Sequence, residues 1–257
     1  MNIVPKNNLS GPARLLQRSA STRTGLLRRS LGEGGRAFTL VELLVVISII
    51  GILAAFVLPL AGTVNIHKRI NTAQAELQGL ESDLENYKAK YGVYPPGNGT
   101  NYVVNQLYYE LSGATNINGP ISGSYETLDG NSTVLVKDYG KQFNQSGLLN
   151  CTKPAGDETV YAKNFLPGIK ANEIAFATNS DGIQFYYLVT SVGGPDVAYQ
   201  PIPGYSANPF RYAYPGINNP NSYDLWVQLS INTTPTAKHY YLICNWTQVV
   251  QHNSPLP

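Results

Sequence analysis

The sequence predicts an α+β protein built on one long N-terminal helix. Three observations support this class. The stretch at 38–62 is apolar apart from one charged residue, Glu42. A stripe of apolar residues at helical spacing then continues to Tyr91. The residues at 97–257 contain short strand-like runs separated by Gly, Pro and Asn, which is typical of a β-rich domain.

The segment at 1–37 differs from the rest of the chain in charge. It contains seven basic residues and one acid, Glu33, which leaves 11 basic and 15 acidic residues in the body. The whole-chain net charge of +2 therefore conceals a mildly acidic body, and this argues against nucleic-acid binding. Because the segment lacks apolar periodicity, we expect it to be disordered.

The apolar stretch at 38–62 is long enough to cross a membrane. A helix of this length exceeds the hydrocarbon core of a bilayer, which is about 30 Å thick. A buried helix of a soluble protein and an ordinary secretory signal are the alternatives; the stretch is too long for the signal and apolar on all sides. The positive-inside rule places the basic segment in the cytoplasm and the C-terminal body beyond the membrane.

The second part of the helix, at 63–92, has one apolar face. Its stripe consists of Ile66, Ile70, Ala73, Leu77, Leu80, Leu84, Tyr87 and Tyr91. Gly92 and the following Pro95-Pro96 predict the end of the helix. We therefore expect a helix from about Phe38 to Tyr91, roughly 80 Å long.

The head, at 93–257, is expected to contain a small antiparallel sheet packed on this stripe. The predicted strands are Thr133–Val136, Glu173–Ala177, Ile183–Val189, Asp224–Leu229 and His239–Cys244. The composition of 97–205 predicts an irregular insertion.

Glu42 is the most informative residue in the apolar stretch. A carboxylate near mid-bilayer is unfavourable by about 2.5–3.5 kcal/mol, although one near a helix end could also reach the headgroups. If the chain were cut before Phe38, Glu42 would lie one helical turn from a new cationic amine. In a filament, the Glu42 of one subunit could pair with the amine of its neighbour.

The segment from Arg36 to Glu42, followed by LLVVISIIGILAAFVLPL, resembles the type IV prepilin N-methylation motif. The resemblance implies a type IV pilin fold and cleavage between Ala37 and Phe38 by a membrane prepilin peptidase. The same enzyme would then methylate Phe38. It further implies that Glu42 acts in filament assembly, and that Gly51 and Pro59 are points where the helix melts or kinks, as the lost hydrogen bond at proline also predicts. The family usually has Gly where this chain has Ala37, so cleavage efficiency is left open.

Five further segments resemble the major, G-type pseudopilin of type II secretion. The first is Tyr87–Pro95, which matches the end of its long helix. The others match its closing strands and final loop: Asn208–Tyr212, Tyr214–Gly216, Tyr223–Trp226 and Ile243–Trp246. That family binds calcium through an Asp-containing loop, but Ser230–Lys238 has no carboxylate, so no calcium or other cofactor is expected.

Cys151 and Cys244 lie in no metal-binding or redox motif. Beyond the cytoplasm they could form a disulfide, or they could remain separate buried thiols. His67, His239 and His252 lack metal-ligand spacing, and no phosphate loop or nucleophile motif occurs, so the sequence predicts neither a metal site nor an enzyme.

The resemblance implies a structural subunit of a type II secretion pseudopilus in the bacterial inner membrane. Its implied partners are copies of itself, other pseudopilins, the prepilin peptidase, and an assembly platform with its ATPase. The alternatives are a type IV pilin or minor pseudopilin for adhesion, motility or DNA uptake. A single-pass membrane-anchored binding module, using surface Tyr and Trp, is an alternative from another class.

Overall fold

The computed structural model describes residues 38–99, 101–119, 122–155, 158–192, 207–232 and 238–252. Within these ranges the side chains at 57–63, 154–155, 158, 232 and 238 are not described. The chain divides into two compact units, Met1–Ile50 and Gly51–Pro257. The basic segment at 1–37, with its expected disorder, lies outside the described residues.

One helix, α1, runs without interruption from Leu40 to Tyr91. Six residues of the predicted stripe are buried: Ile70, Ala73, Leu77, Leu80, Leu84 and Tyr87. Ile66 and Tyr91, at its two ends, are half-buried and pack against the same core. Gly92 ends the helix at a φ of 78°, and its N–H donates to the carbonyl of Lys88 at 2.7 Å. The predicted stripe and helix end are confirmed.

A four-stranded antiparallel sheet closes the chain. Its strands are β9 (Arg211–Ala213), β10 (Asp224–Asn232), β11 (Lys238–Cys244) and β12 (Thr247–His252). The spatial order is β12-β11-β10-β9, so each strand pairs with the next along the chain. The strands predicted at 224–229 and 239–244 are confirmed, whereas β9 and β12 were not predicted.

The described part of the expected irregular insertion is regular, so that expectation was wrong. It contains the helices α2 (Leu107–Ser112) and α3 (Val136–Phe143). Five strands form one sheet in the order β3-β2-β1-β4-β5: β1 (Ala114–Ile117), β2 (Ser124–Thr127), β3 (Thr133–Leu135), β4 (Cys151–Ala155) and β5 (Glu158–Val160). The pairing of β1 with β4 is parallel. Val136, predicted as a strand residue, begins α3 instead.

A third sheet precedes the closing one and has the order β6-β7-β8. A 3₁₀ turn at Ala171–Glu173 leads into β6 (Ile174–Thr178), which pairs antiparallel with β7 (Gln184–Thr190) and, through it, β8 (Asn208–Pro209). The predicted strands at 173–177 and 183–189 are therefore confirmed within one residue. The described residues of the head form three sheets rather than one small sheet.

Aromatic side chains fill the core of the head. Eight tyrosine and phenylalanine side chains are almost fully buried: Tyr87, Tyr108, Tyr109, Tyr139, Tyr187, Tyr212, Phe143 and Phe185. Tyr109, Tyr139 and Phe143 contact one another at ring-centroid distances of 5.0–5.6 Å. Much of the Tyr content that suggested a binding surface is therefore structural, since buried aromatic pairs contribute to core stability.

Candidate functional site

The start of α1 is a capping box built by Thr39 and Glu42. The Thr39 Oγ1 accepts a hydrogen bond from the Glu42 N–H at 3.2 Å. In return, the Glu42 Oε2 accepts one bond from the Thr39 N–H and one from its hydroxyl, both at 2.9 Å. Thr39-Leu40-Val41-Glu42 has the spacing that this motif requires. Phe38, the residue before the cap, is 76% exposed.

This geometry turns the Glu42 carboxylate back towards Thr39, next to Phe38, which would become the N-terminus after the predicted cut. Both bonds from Thr39 go to Oε2, and a carboxylate offers about four lone-pair positions on its two oxygens. Oε1 takes no hydrogen bond from the described residues. The carboxylate can therefore keep its cap and still accept a bond from a further donor.

The apolar residues that follow Glu42 are exposed. Every Leu, Val, Ile and Phe from Leu40 to Phe56 has an exposed side chain, on all faces of the helix. Ser48 donates to the Leu44 carbonyl at 2.7 Å, so the polar group within this stretch is paired. Among the residues that the structure describes, no helix is both long and apolar enough to cross a membrane.

The other residues assigned to processing and assembly are placed as follows. Ala37 lies outside the described residues, and the side chain of Pro59 does as well. Helical backbone continues through both Gly51 and Pro59. A Cβ at Gly51 would meet no atom within 4 Å, so packing does not require glycine there.

A buried carboxylate joins the end of α1 to the middle of the head. The Glu110 side chain in α2 is fully buried and accepts bonds from the Tyr87 hydroxyl at 2.8 Å and from two backbone N–H groups, of Leu149 and Asn150, at 3.0 Å. Tyr91 donates to the Asn150 Oδ1 at 2.6 Å. Burial raises the pKa of Glu110 above its usual value, although its hydrogen bonds oppose this shift.

A second carboxylate connects α1 to β7. The Glu76 Oε2 accepts from the Thr190 hydroxyl at 2.6 Å, and Glu76 also accepts from the N–H and hydroxyl of Ser191. Near these residues, a groove of about 1110 Å³ lies between α1 and the loop at 166–170. The Asp83 carboxyl lines this groove, and partial burial raises its pKa to about 6.

Asp224 organises one loop of the closing sheet. Its carboxylate is buried and accepts bonds from the backbone N–H groups of Ile217, Asn218 and Asn219 at 2.7–3.0 Å. A Cβ at Gly216 would lie 2.7 Å from the Asp224 Oδ1, so the loop also needs glycine there. The expectation that no calcium binds rests on the loop at 230–238, which lies mostly outside the described residues, so it is not tested.

The two cysteines are separate free thiols rather than a disulfide. Cys151 is buried in the main core, whereas Cys244 packs with Trp226 in a smaller cluster. Burial raises the pKa of both thiols. Of the two possibilities left open by the sequence, the structure has the separate buried thiols.

No group of three or more His, Cys, Asp or Glu residues in the described part of the chain could hold a metal ion. The structure nevertheless brings together two histidines that are distant in sequence, His239 and His252, whose ring nitrogens are 2.8 Å apart. The sequence could not reveal this pair because β12 and its register were not predicted.

The functional residue that sequence reasoning missed is Thr39. Its signal was present, since Thr or Ser three residues before Glu at the start of an apolar run is a capping-box pattern. Glu110 gave no such signal, because its partners come from positions 23 to 40 residues away.

Comparisons with known proteins support the assignment of the N-terminal segment. A family model described as the prokaryotic N-terminal methylation motif matches residues 35–58. The type IV major pilin protein PilE1 of Neisseria gonorrhoeae is 30% identical over 105 residues, which is 41% of this chain and 45% of that pilin. The chain therefore spans less than half the length of this curated relative. No solved structure matches it significantly.

The chain thus carries the N-methylation motif and, over 41% of its length, resembles a type IV major pilin. The matched relative is a pilin, and the matched motif covers the start of α1. Neither distinguishes a pseudopilin of type II secretion from a pilin.

Proposed function

We propose that this chain is a filament subunit, cut before Phe38 and anchored in the inner membrane by the apolar part of α1 until assembly. The observation that carries this proposal is the position of Glu42. It is the single acid among exposed apolar residues, and its neighbour Thr39 holds it at the helix start. A pilin-type motif covers the same residues.

The proposed assembly contact pairs charges that are unfavourable in lipid. After the cut, the amine of Phe38 would be a cation with no partner of its own in the bilayer. The Glu42 Oε1 of a neighbouring subunit can accept its N–H while Oε2 keeps the Thr39 bonds. On assembly, each of these two charges gains an oppositely charged partner within the low-dielectric environment, which favours the filament.

Glu42→Val tests this contact. We expect the variant to remain in the membrane and to form few or no filaments, as measured by electron microscopy and by shearing of filaments from cells. Ser48→Val is the matched control, since it changes a polar residue in the same stretch without touching the carboxylate, and it should assemble. Wild-type amounts of filament from Glu42→Val would contradict the pairing mechanism.

Within this class we propose the pseudopilus of type II secretion, in which filament growth drives protein export across the outer membrane. The pattern at Tyr87–Pro95 and the closing segments support this role. Calcium is not part of the proposal, because Asp224 already binds backbone amides. The head would lie in the periplasm, with 1–37 in the cytoplasm before cleavage.

A type IV pilus is the second candidate, and the similarity to a major pilin favours it. Deletion of the gene separates the two roles. Loss of exoprotein export with normal surface pili supports the pseudopilus, whereas loss of pili with normal export supports the pilus.

A further inference from the structure

Two histidines meet on neighbouring strands of the closing sheet. His239 lies near the start of β11, and His252 is the last residue of β12. The Nδ1 of His239 and the Nε2 of His252 are 2.8 Å apart. Their rings are stacked, with centroids 4.8 Å apart and an interplanar angle of 30°. His252 is exposed and His239 half-buried, so both can be reached from solvent.

The sheet holds this pair in place. Tyr241 lies directly opposite His252 in the ladder between β11 and β12. Because side chains alternate along a strand, His239 and Tyr241 share one face of the sheet, and His252 lies on the same face. The Tyr241 ring also contacts that of His252 at 5.0 Å. Strand register and an aromatic contact therefore fix the position of both imidazoles.

We propose that His239 and His252 form a chelating site for a divalent transition-metal ion. Metal–nitrogen bonds to histidine are about 2.0–2.1 Å long, so two nitrogens at a right angle around one ion are about 2.9–3.0 Å apart. The observed separation of 2.8 Å is close to this value. Binding requires only a small opening of the pair.

The donor set defines the class of metal. Two imidazoles suit Zn²⁺, Ni²⁺ or Cu²⁺, whereas Ca²⁺ and Mg²⁺ prefer oxygen ligands. No third His, Cys, Asp or Glu lies within coordinating range in the part of the chain that is described, so water fills the other positions. Each imidazole binds through an unprotonated nitrogen, so the ring that donates the hydrogen bond between His239 and His252 must move its N–H to its other nitrogen, whereas the accepting ring already has its N–H there. Because a metal ion binds only the unprotonated nitrogen, acid weakens binding.

Ni²⁺ titration of the full chain, purified in detergent without a polyhistidine tag, tests the site. We expect one equivalent to bind at pH 7.5 by calorimetry. His239→Gln and His252→Gln should each weaken binding at least tenfold, and lowering the pH to 5.5 should do the same for the unmodified protein. His67→Gln is the matched control, because His67 lies on α1, and it should bind as tightly as the unmodified chain.

Circular dichroism must show the same fold for all variants, and the glutamine substitutions were chosen because they keep a polar side chain at each position. The proposal is wrong if the unmodified chain binds no Ni²⁺ or if His239→Gln binds with unchanged affinity. In either case the two rings form only a hydrogen bond between strands.

Discussion

Two stretches of α1 are both helical, but they differ in how their apolar residues are distributed and buried. From Leu40 to Phe56, the large apolar side chains are between 45% and 78% exposed, on every face of the helix. From Ile70 to Tyr87, the apolar residues of the stripe lie on one face and are less than 9% exposed. Helix formation alone therefore does not determine what a helix packs against; the distribution of apolar residues around it does.

The two stretches also use their carboxylates differently. Glu76 in the amphipathic stretch accepts hydrogen bonds from Thr190 and Ser191, which are more than 100 residues away. Glu42 in the apolar stretch accepts from Thr39, three residues away. The carboxylate of the amphipathic stretch is therefore bound by residues of the head, whereas that of the apolar stretch is bound by a residue at the start of the same helix. On our proposal, lipid and then other subunits cover the remainder of the apolar stretch.

The largest expected effect comes from truncating one leucine in each stretch. Leu84 is fully buried, so Leu84→Ala should lower the free energy of unfolding by about 2–5 kcal/mol. Leu53 is 59% exposed, and Leu53→Ala should change the free energy of unfolding by less than about 0.5 kcal/mol. Urea unfolding of the detergent-solubilised chain, followed by circular dichroism, measures both. Equal losses in the two variants would contradict the contrast between the stretches.

Glu110→Gln tests how much the hydrogen bonds of Glu110 stabilise the packing of the amphipathic stretch on the head. The amide nitrogen of glutamine would face a backbone N–H of Leu149 or Asn150, so the variant should lose about 1–3 kcal/mol of stability. Glu126→Gln changes an exposed residue of the same type and should have little effect. Urea unfolding again provides the measurement.

The same variant has an expected pH dependence. Since the pKa of Glu110 is raised by burial, the fold favours its uncharged form. The stability that Glu110 contributes is therefore fully present below its usual pKa of about 4.5 and decreases as the pH rises through its higher pKa in the fold. The stability difference between the unmodified chain and Glu110→Gln should be larger at pH 4.5 than at pH 8. The opposite trend would show that the ionised carboxylate is the stabilising form.

The smallest effect is expected at the start of the apolar stretch. Thr39→Ala removes the hydroxyl of the capping box and should destabilise the first turn of α1 by about 1 kcal/mol. Faster hydrogen exchange at the amides of residues 40–43 would report this loss. Ser48→Ala, which removes a hydroxyl bonded to the Leu44 carbonyl within the helix, should leave those amides unchanged. Equal exchange in Thr39→Ala and the unmodified chain would show that the capping box does not stabilise the turn.

The structural elements that depend on local periodicity could be predicted from the sequence. The stripe from Ile66 to Tyr91, the end at Gly92 and five of the strands follow from patterns of two to four residues, and the structure confirms them. In the region at 97–192, the helices α2 and α3 and the strands β1, β2, β4 and β5 were not predicted, because these strands are three to five residues long and lack clear alternation. Contacts between residues that are separated in sequence could not be predicted either. Glu110 with Asn150, and His239 with His252, depend on tertiary packing and strand register.

The most direct test of the central claim is the intact mass and N-terminal sequence of the chain extracted from the membranes of cells that contain the prepilin peptidase. The account predicts a chain that begins at Phe38 and carries one additional methyl group on its N-terminal amine. That chain would have the free cation which Glu42 is proposed to pair with. A chain that retains residues 1–37 in such cells would contradict the processing and, with it, the proposed mechanism of assembly.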